Sequence, residues 1–158
     1  IKSLGFRGEA LPSIAAVSRM TIRTRRDRES WEINAEGGRK GQPAPGSHPQ
    51  GTVIEVRDLF YATPARLKFL KTDKAEVMAV KDTVMRLAMA FPGTGFRLIS
   101  DEKTVLSLPP QDSGERLAGL LGRDFIDNAM PIAAEREGIR LTGFAALPTA
   151  SRGTAQYQ

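Results

Sequence analysis

Near the front of the chain, Gly5 and Gly8 bracket Phe6 and Arg7 and lead straight into Glu9-Ala-Leu11. No other stretch narrows the possible folds so far. Glycine lets the backbone turn without a Cβ penalty and lets a ligand come close to the main chain. An apolar helical pattern starts at once, and a helix is predicted from about Gly8 to Val17. It places Leu11, Ile14 and Ala15 on one face, and Pro12 is tolerated in its first turn. Free N–H groups at a helix start, together with the positive end of the helix dipole, make an anion site. Leu4 to Leu11 therefore reads either as a phosphate-binding loop entering a helix or as a plain glycine turn before one. The eight residues by themselves leave both readings open.

A longer comparison of motifs separates the two. Leu4-Gly-Phe-Arg-Gly-Glu-Ala-Leu11, followed by Ser13-Ile-Ala-Ala-Val-Ser18, resembles the ATP-lid motif of the MutL family of DNA mismatch-repair ATPases. That family belongs to the GHKL superfamily, with gyrase and the histidine kinases. Gly51-Thr-Val-Ile-Glu-Val-Arg-Asp-Leu-Phe-Tyr-Ala-Thr-Pro-Ala-Arg-Leu-Lys-Phe-Leu70 resembles the family's fourth ATPase motif and the signature block behind it. Sister families lack this second block. Ala62 stands where the family usually has Asn, which puts in doubt only the local turn or capping bond that Asn would make.

The resemblance implies an α+β fold: the C-terminal part of a GHKL-type ATPase domain, a mixed sheet with helices on one face. It places that part, with the lid and the fourth motif, at residues 1–108, and the start of a second, transducer-like α+β domain at 109–158. It implies ATP and Mg²⁺ as cofactors, with ATP contacted by Gly5, Phe6, Arg7, Gly8, Glu9, Ala10 and Thr52. Main-chain N–H groups from about Phe6 to Ala10 would wrap the β- and γ-phosphates. In the family the general-base Glu, the Mg-binding Asn and an Asp-x-Gly-x-Gly adenine site lie upstream of the lid, and none is found here. The chain is therefore expected to be an internal fragment with no catalytic residue or metal ligand of its own, inactive in isolation.

The implied function is slow ATP hydrolysis by a dimeric matchmaker that couples mismatch recognition to downstream repair proteins on DNA. It would work in the bacterial cytoplasm at the nucleoid, or in the nucleus of a eukaryote. For DNA the resemblance points to Lys68 and Lys71, with Arg66 the weaker candidate. In Leu67-Lys-Phe-Leu-Lys71 the lysines flank Phe69 and Leu70, which are expected to anchor the segment while the lysines face outward. Two rival classes stand beside this reading. One is a GHKL ATPase of another pathway, against which the Leu59 to Leu70 block argues. The other is a nucleic-acid-binding module with a vestigial lid.

Bulk properties are compatible with these expectations. The 158 residues carry a net charge of +5 and a pI near 9.9, which suits a polyanionic partner. Cysteine is absent, which excludes disulfides and Cys-based zinc sites. No apolar run reaches membrane-spanning length, and no internal repeat is found. His48 lies in a Pro/Gly-rich loop without ligand spacing around it and reads as a surface residue. Arg23, Arg25, Arg26 and Arg28 form a basic hairpin that reads first as a solvated face.

Met20, Ile22 and Thr24 alternate with Thr21, Arg23 and Arg25, as in a strand with one solvated face. Ser30 to Ala35 alternates likewise, with Trp31, Ile33 and Ala35 on one side and a hairpin loop from Arg25 to Glu29 before it. Gly37 to Gln50 reads as loop, and Thr52 to Val56 as the next strand. A helix is predicted from about Lys74 to Phe91, with Val77, Val80, Val84, Leu87, Ala88 and Phe91 on its apolar face and Pro92-Gly93 ending it. Phe96 to Ile99 and Thr104 to Leu108 read as a hairpin turning at Asp101-Glu102. The proline-rich Leu108 to Gly114 is the expected domain boundary. Helices near Glu115 to Leu121 and Asp124 to Asn128 follow, then strands near Ile132 to Glu135 and Ile139 to Ala146.

Overall fold

A computed structural model describes residue 5 and residues 7–150, and the chain divides into two compact units, residues 1–71 and 72–158. In the first unit a short helix, α1 (Ala10–Ala15), precedes β1 (Arg19–Arg26) and β2 (Glu29–Glu36). The helix is shorter than predicted. Gly8 sits at φ +67°, outside helical space, so the helix cannot begin there. At the other end the last carbonyls find partners outside the helix. Ser18 Oγ donates to Ile14 O at 2.7 Å and Gly38 N donates to Ala15 O at 3.0 Å.

β1 and β2 form a hairpin whose loop is only Asp27-Arg28, with Asp27 at φ +55°. β5 (Gly51–Arg57) pairs with the other side of β1. The predicted loop between β2 and β5 contains two short bridges to β2, namely β3 (Arg39–Lys40) and β4 (Ala44–Pro45). Gly37 and Gly38, at φ +54° and +85°, reverse the chain tightly enough to allow the first. Proline is tolerated in the second because it lies at an edge. Among the described residues every strand pairing is antiparallel.

The register sorts the sheet into two faces. Met20, Ile22 and Thr24 of β1 lie opposite Ala35, Ile33 and Trp31 of β2 and opposite Val56, Ile54 and Thr52 of β5. This apolar face receives α1. Ala15 and Met20 are buried, and a cleft of about 260 Å³ lies between Leu11, Pro12 and Ala15 above and Met20, Ile22 and Ile33 below. The opposite face carries an ionic row. Arg23 bridges Glu32 at 2.8 Å and Glu55 at 3.2 Å, and Arg57 pairs with Glu55. The unit closes with a one-turn helix, α2 (Pro64–Leu67), followed by residues 68–71.

The second unit begins with α3 (Asp73–Ala90), whose cap Thr72 accepts from Ala75 N. Its buried strip differs in part from the predicted one. Met85 and Ala88 are buried with Val77 and Val84 half-buried, whereas Val80 and Leu87 are exposed. β6 (Phe96–Ser100) and β7 (Lys103–Leu108) form a hairpin turning at Asp101 and Glu102, both at positive φ, as the sequence predicts. Asp112 caps α4 (Ser113–Leu121) by accepting from Glu115 N at 2.9 Å. α5 (Arg123–Asp127) leads into the hairpin of β8 (Ala129–Arg136) and β9 (Ile139–Ala146). Residues 109–114 lie inside this unit and are tied to it, since Gln111 N donates to Pro92 O at 2.9 Å.

Candidate functional site

The glycine loop leads directly into α1. A Cβ built at Gly8 would meet nothing within 4 Å among the described residues. Gly8 is left-handed, a conformation that side-chain-bearing residues rarely adopt. Glu9 is the cap of α1, is itself helical in φ and ψ, and makes no side-chain capping bond. Ser13 N reaches back to Glu9 O at 3.0 Å, and Pro12 has no N–H. The amides of Ala10 and Leu11 thus precede the first intrahelical donor and point out of the helix end. Arg7 and Glu9 are exposed beside them. Phe6 falls outside the described residues.

The outward amides of Ala10 and Leu11 beside a left-handed glycine fit phosphate oxygens, and the helix dipole adds to the attraction. Among the described residues no group of three or more His, Cys, Asp or Glu could hold a metal ion. His48 follows that pattern, its Nδ1 lying 2.8 Å from Pro49 O on the surface.

Thr52 lies on the same face of the sheet as α1. Its Oγ1 is 2.8 Å from Thr24 Oγ1. Thr24 is four residues along β1 from Met20, where α1 is seated, so the Thr pair lies roughly 13 Å further along that face. The structure therefore brings Thr52 and α1 to one side of the sheet but does not juxtapose them.

Arg66 belongs to α2, Lys68 caps its end and Lys71 follows, and all three are exposed. The expected anchoring by Phe69 is not observed. Phe69 is 84% exposed and Leu70 40% exposed, so the apolar pair projects to solvent with the lysines. The reason lies in the local turn. Phe69 N bonds to Arg66 O and Leu70 N to Leu67 O, which continues a tight coil rather than an extended segment with two faces.

The basic hairpin is largely satisfied from within. Hydrogen bonds to Glu32 and then to Glu55 hold the Arg23 guanidinium above its ordinary pKa. In return Glu32 is held below the usual glutamate value, first by Asn34 and then by Arg23. Glu55 is likewise lowered, first by Arg57 and then by Arg23. Arg25 donates to the carbonyls of Asp27 and His48.

Sequence reasoning overlooked one cluster. Arg19 Nε donates to Glu36 at 2.8 Å, its Nη1 donates to Asp58 at 2.6 Å, and its guanidinium lies 4.7 Å from the Tyr61 ring centroid. It borders a cleft of about 920 Å³ on the polar side of the sheet, which Ala62 also lines. The available signal was the Asp58-Leu-Phe-Tyr61 string, conspicuous in sequence but without a stated partner.

The fold and this loop define a class: an α+β domain of the GHKL ATPase type. The solved Aquifex aeolicus MutL ATPase domain complexed with ADP superposes with a TM-score of 0.73 at 33% identity, covering 87% of this chain and 56% of that one. The sequence narrows the class further. The chain is 54% identical over 167 residues to the DNA mismatch repair protein MutL of Rhodospirillum rubrum, covering 100% of this chain and 26% of that protein. It is 52% identical over 162 residues to the same-named protein of Rhizobium meliloti, covering 100% and 27% respectively. No family model matches the chain. The chain belongs to the MutL family of DNA mismatch repair proteins and spans about a quarter of the length of these curated relatives.

Proposed function

We propose that this chain supplies the ATP lid of a mismatch-repair ATPase, and that Phe6, Arg7, Gly8, Glu9 and Ala10 close over the β- and γ-phosphates with their main-chain amides. The observation that carries this reading is the left-handed, unobstructed Gly8 at the start of α1 in a chain of this family. Gly5 gives the loop a second residue without a Cβ, and Thr52 supports the nucleotide from the sheet. Arg7 and Glu9 position the loop; the hydrolytic base and the Mg²⁺ ligands come from other segments of the full-length protein. Residues 1–108 belong to the ATPase domain and 109–158 open the second α+β domain, a division drawn from the proline-rich Leu108 to Gly114, while the compact units divide earlier, between residues 71 and 72.

ATP binding orders the lid, in the manner of a segment held by a γ-phosphate. The ordered state favours pairing of two N-terminal regions and hands mismatch recognition on to downstream repair proteins. Lys68 and Lys71, with Arg66, line the DNA-facing side and contact phosphates without reading sequence. Such a protein acts wherever the chromosome is, in the bacterial cytoplasm.

The test is Gly8→Val in the full-length protein. A β-branched residue at φ +67° is strained by about 1–3 kcal/mol even with open space around it, so the loop should leave that conformation. ATP affinity should fall roughly tenfold or more. ATP bound and hydrolysed at wild-type levels would overturn the lid assignment. For the DNA-facing segment, Lys71→Glu should weaken binding to every DNA sequence alike and flatten its salt dependence, with ATP binding unchanged. Unaltered DNA affinity and salt slope would remove Lys71 from the interface.

A further inference from the structure

The trailing end of α1 is held by two other segments of the first unit, the turns at residues 37–38 and 58–61. Phe60 N donates to Val17 O at 2.7 Å, Gly37 N donates to Ser18 O at 3.1 Å, and Gly38 N donates to Ala15 O at 3.0 Å. Arg19, the next residue, ties the same point to Glu36, Asp58 and Tyr61. The fit is close. A Cβ at Gly37 would lie 2.9 Å from the Tyr61 hydroxyl, so that position accepts only glycine while Tyr61 keeps its place. The turn at residues 58–61 takes this shape at a cost. Asp58 and Phe60 sit at φ +51° and +68°, and a bulky aromatic residue rarely adopts that region. What the distortion achieves is visible in the bonds: it aims Phe60 N–H at the end of the lid helix and the Asp58 carboxylate at Arg19.

The same turn is continuous with the basic segment. Phe60 O accepts from Thr63 N at 2.8 Å, and Thr63 O accepts from Arg66 N at 2.8 Å and Leu67 N at 3.2 Å. Arg66 O and Leu67 O then accept from Phe69 N and Leu70 N. An unbroken series of short-range hydrogen bonds therefore runs from Val17, at the fixed end of the lid, to the residues between Lys68 and Lys71.

We infer that Arg19 is a positioning residue: with the turn at residues 58–61 it fixes the pivot of the lid and relays lid closure to the Arg66–Lys71 segment. Nucleotide and DNA are thereby coupled through a strained turn that contacts neither. The inference rests on the lid and DNA-facing readings proposed above. Linkage requires such coupling to be reciprocal: if the ATP analogue changes DNA affinity by some factor, DNA changes analogue affinity by the same factor.

The experiment measures that factor in the full-length protein, using a duplex oligonucleotide and a non-hydrolysable β,γ-imido ATP analogue. Wild type should show a factor of about five or more. Arg19→Gln removes both carboxylate bonds and the ring contact, and should bring the factor to within about twofold of unity, with each ligand alone binding within about threefold of wild type. Asp58→Asn serves as a second variant that folds independently of the first result, because asparagine tolerates positive φ. It should lower the factor in the same direction, and Arg19→Lys should restore it only in part, since lysine lacks the two-pronged donor. A wild-type factor in Arg19→Gln and Asp58→Asn would overturn the relay, as would a wild type that binds both ligands without coupling. Loss of analogue binding alone in Arg19→Gln would overturn it in favour of a purely local role at the lid. Failure of the wild-type protein to bind one of the two ligands at all would instead remove the underlying reading of that site.

Discussion

Arg116 is the most deeply buried charge among the described residues, and its replacement makes a severe test of how the second unit is held together. The side chain is 0% exposed. Its Nη1 donates to Ala88 O at 2.9 Å, and its Nη2 serves Pro92 O and Thr94 O at 2.9 Å and Pro109 O at 2.7 Å. Nε reaches Gln111 Oε1 at 3.3 Å, and the guanidinium also lies 5.6 Å from the Phe96 ring centroid. One cation therefore caps the carbonyl end of α3, the loop after it and the strand exit before α4. Arg116→Met keeps a long apolar stem and removes every donor. A hydrogen bond from a charged group contributes about 1.5–3 kcal/mol, and stranding a buried acceptor costs about 1–3 kcal/mol. Two Nη2 hydrogens are shared among three carbonyls, and water can reach those that are only partly buried, so the sum does not scale with the number of bonds. A loss of about 3–5 kcal/mol follows, a large share of the stability of a unit this size. Trp31, the only tryptophan, lies in the first unit and reports on that unit alone, so the measurement should be amide hydrogen exchange in α3 and α4. Exchange there should quicken by roughly two to three and a half orders of magnitude, at about 1.4 kcal/mol per factor of ten. Exchange within about threefold of wild type would refute the reasoning.

The ionic row on the first unit's sheet makes a prediction in pH. Glu32 and Glu55 have folded pKa values below the ordinary 4.5, so their contribution to stability is complete above that value and is lost as pH falls through the lowered ones. Thermal unfolding followed by Trp31 fluorescence should therefore show a midpoint that drops as pH falls below about 4.5, more shallowly in Arg23→Gln; equal acid slopes would contradict the assignment. The isolated 158-residue chain should not turn over ATP, since the family's general-base Glu and Mg-binding Asn motifs are not found in its sequence. Phosphate release above a protein-free control, in purified chain with ATP and Mg²⁺, would refute that.

What the sequence conveyed, and what it hid, follows from the range of each interaction. β1, β2 and β5 were legible because period-two alternation is local: the residues that alternate in sequence also sort to opposite faces in the register. The Asp101-Glu102 turn was legible from its two flanking strands. α2 was not, because one turn is too short for a helical period to show. The bridges of β3 and β4 were hidden in a glycine- and proline-rich run that usually marks a loop. The turn into α1 was legible, since a glycine pair before a helix is written in consecutive residues. The Arg19 cluster was not, because its partners Glu36 and Asp58 lie 17 and 39 residues away. Arg116 gave no sign of burial, because arginine in an amphipathic helix ordinarily faces water. Phe69 misled in the opposite direction, an aromatic side chain that the local coil turns outward.

The central claim is that the amides around Gly8 bind phosphate, and hydrogen exchange at those amides tests it most directly. In the full-length protein, exchange at residues 8–11 would be followed with and without a non-hydrolysable ATP analogue at saturating concentration, Pro12 lacking the probe. Bound phosphate oxygens would occupy the N–H groups of Gly8, Glu9 and Ala10, so their exchange should slow by about tenfold or more while β1 amides remain unchanged. Exchange at Gly8, Glu9 and Ala10 that is the same with and without bound analogue would contradict the account.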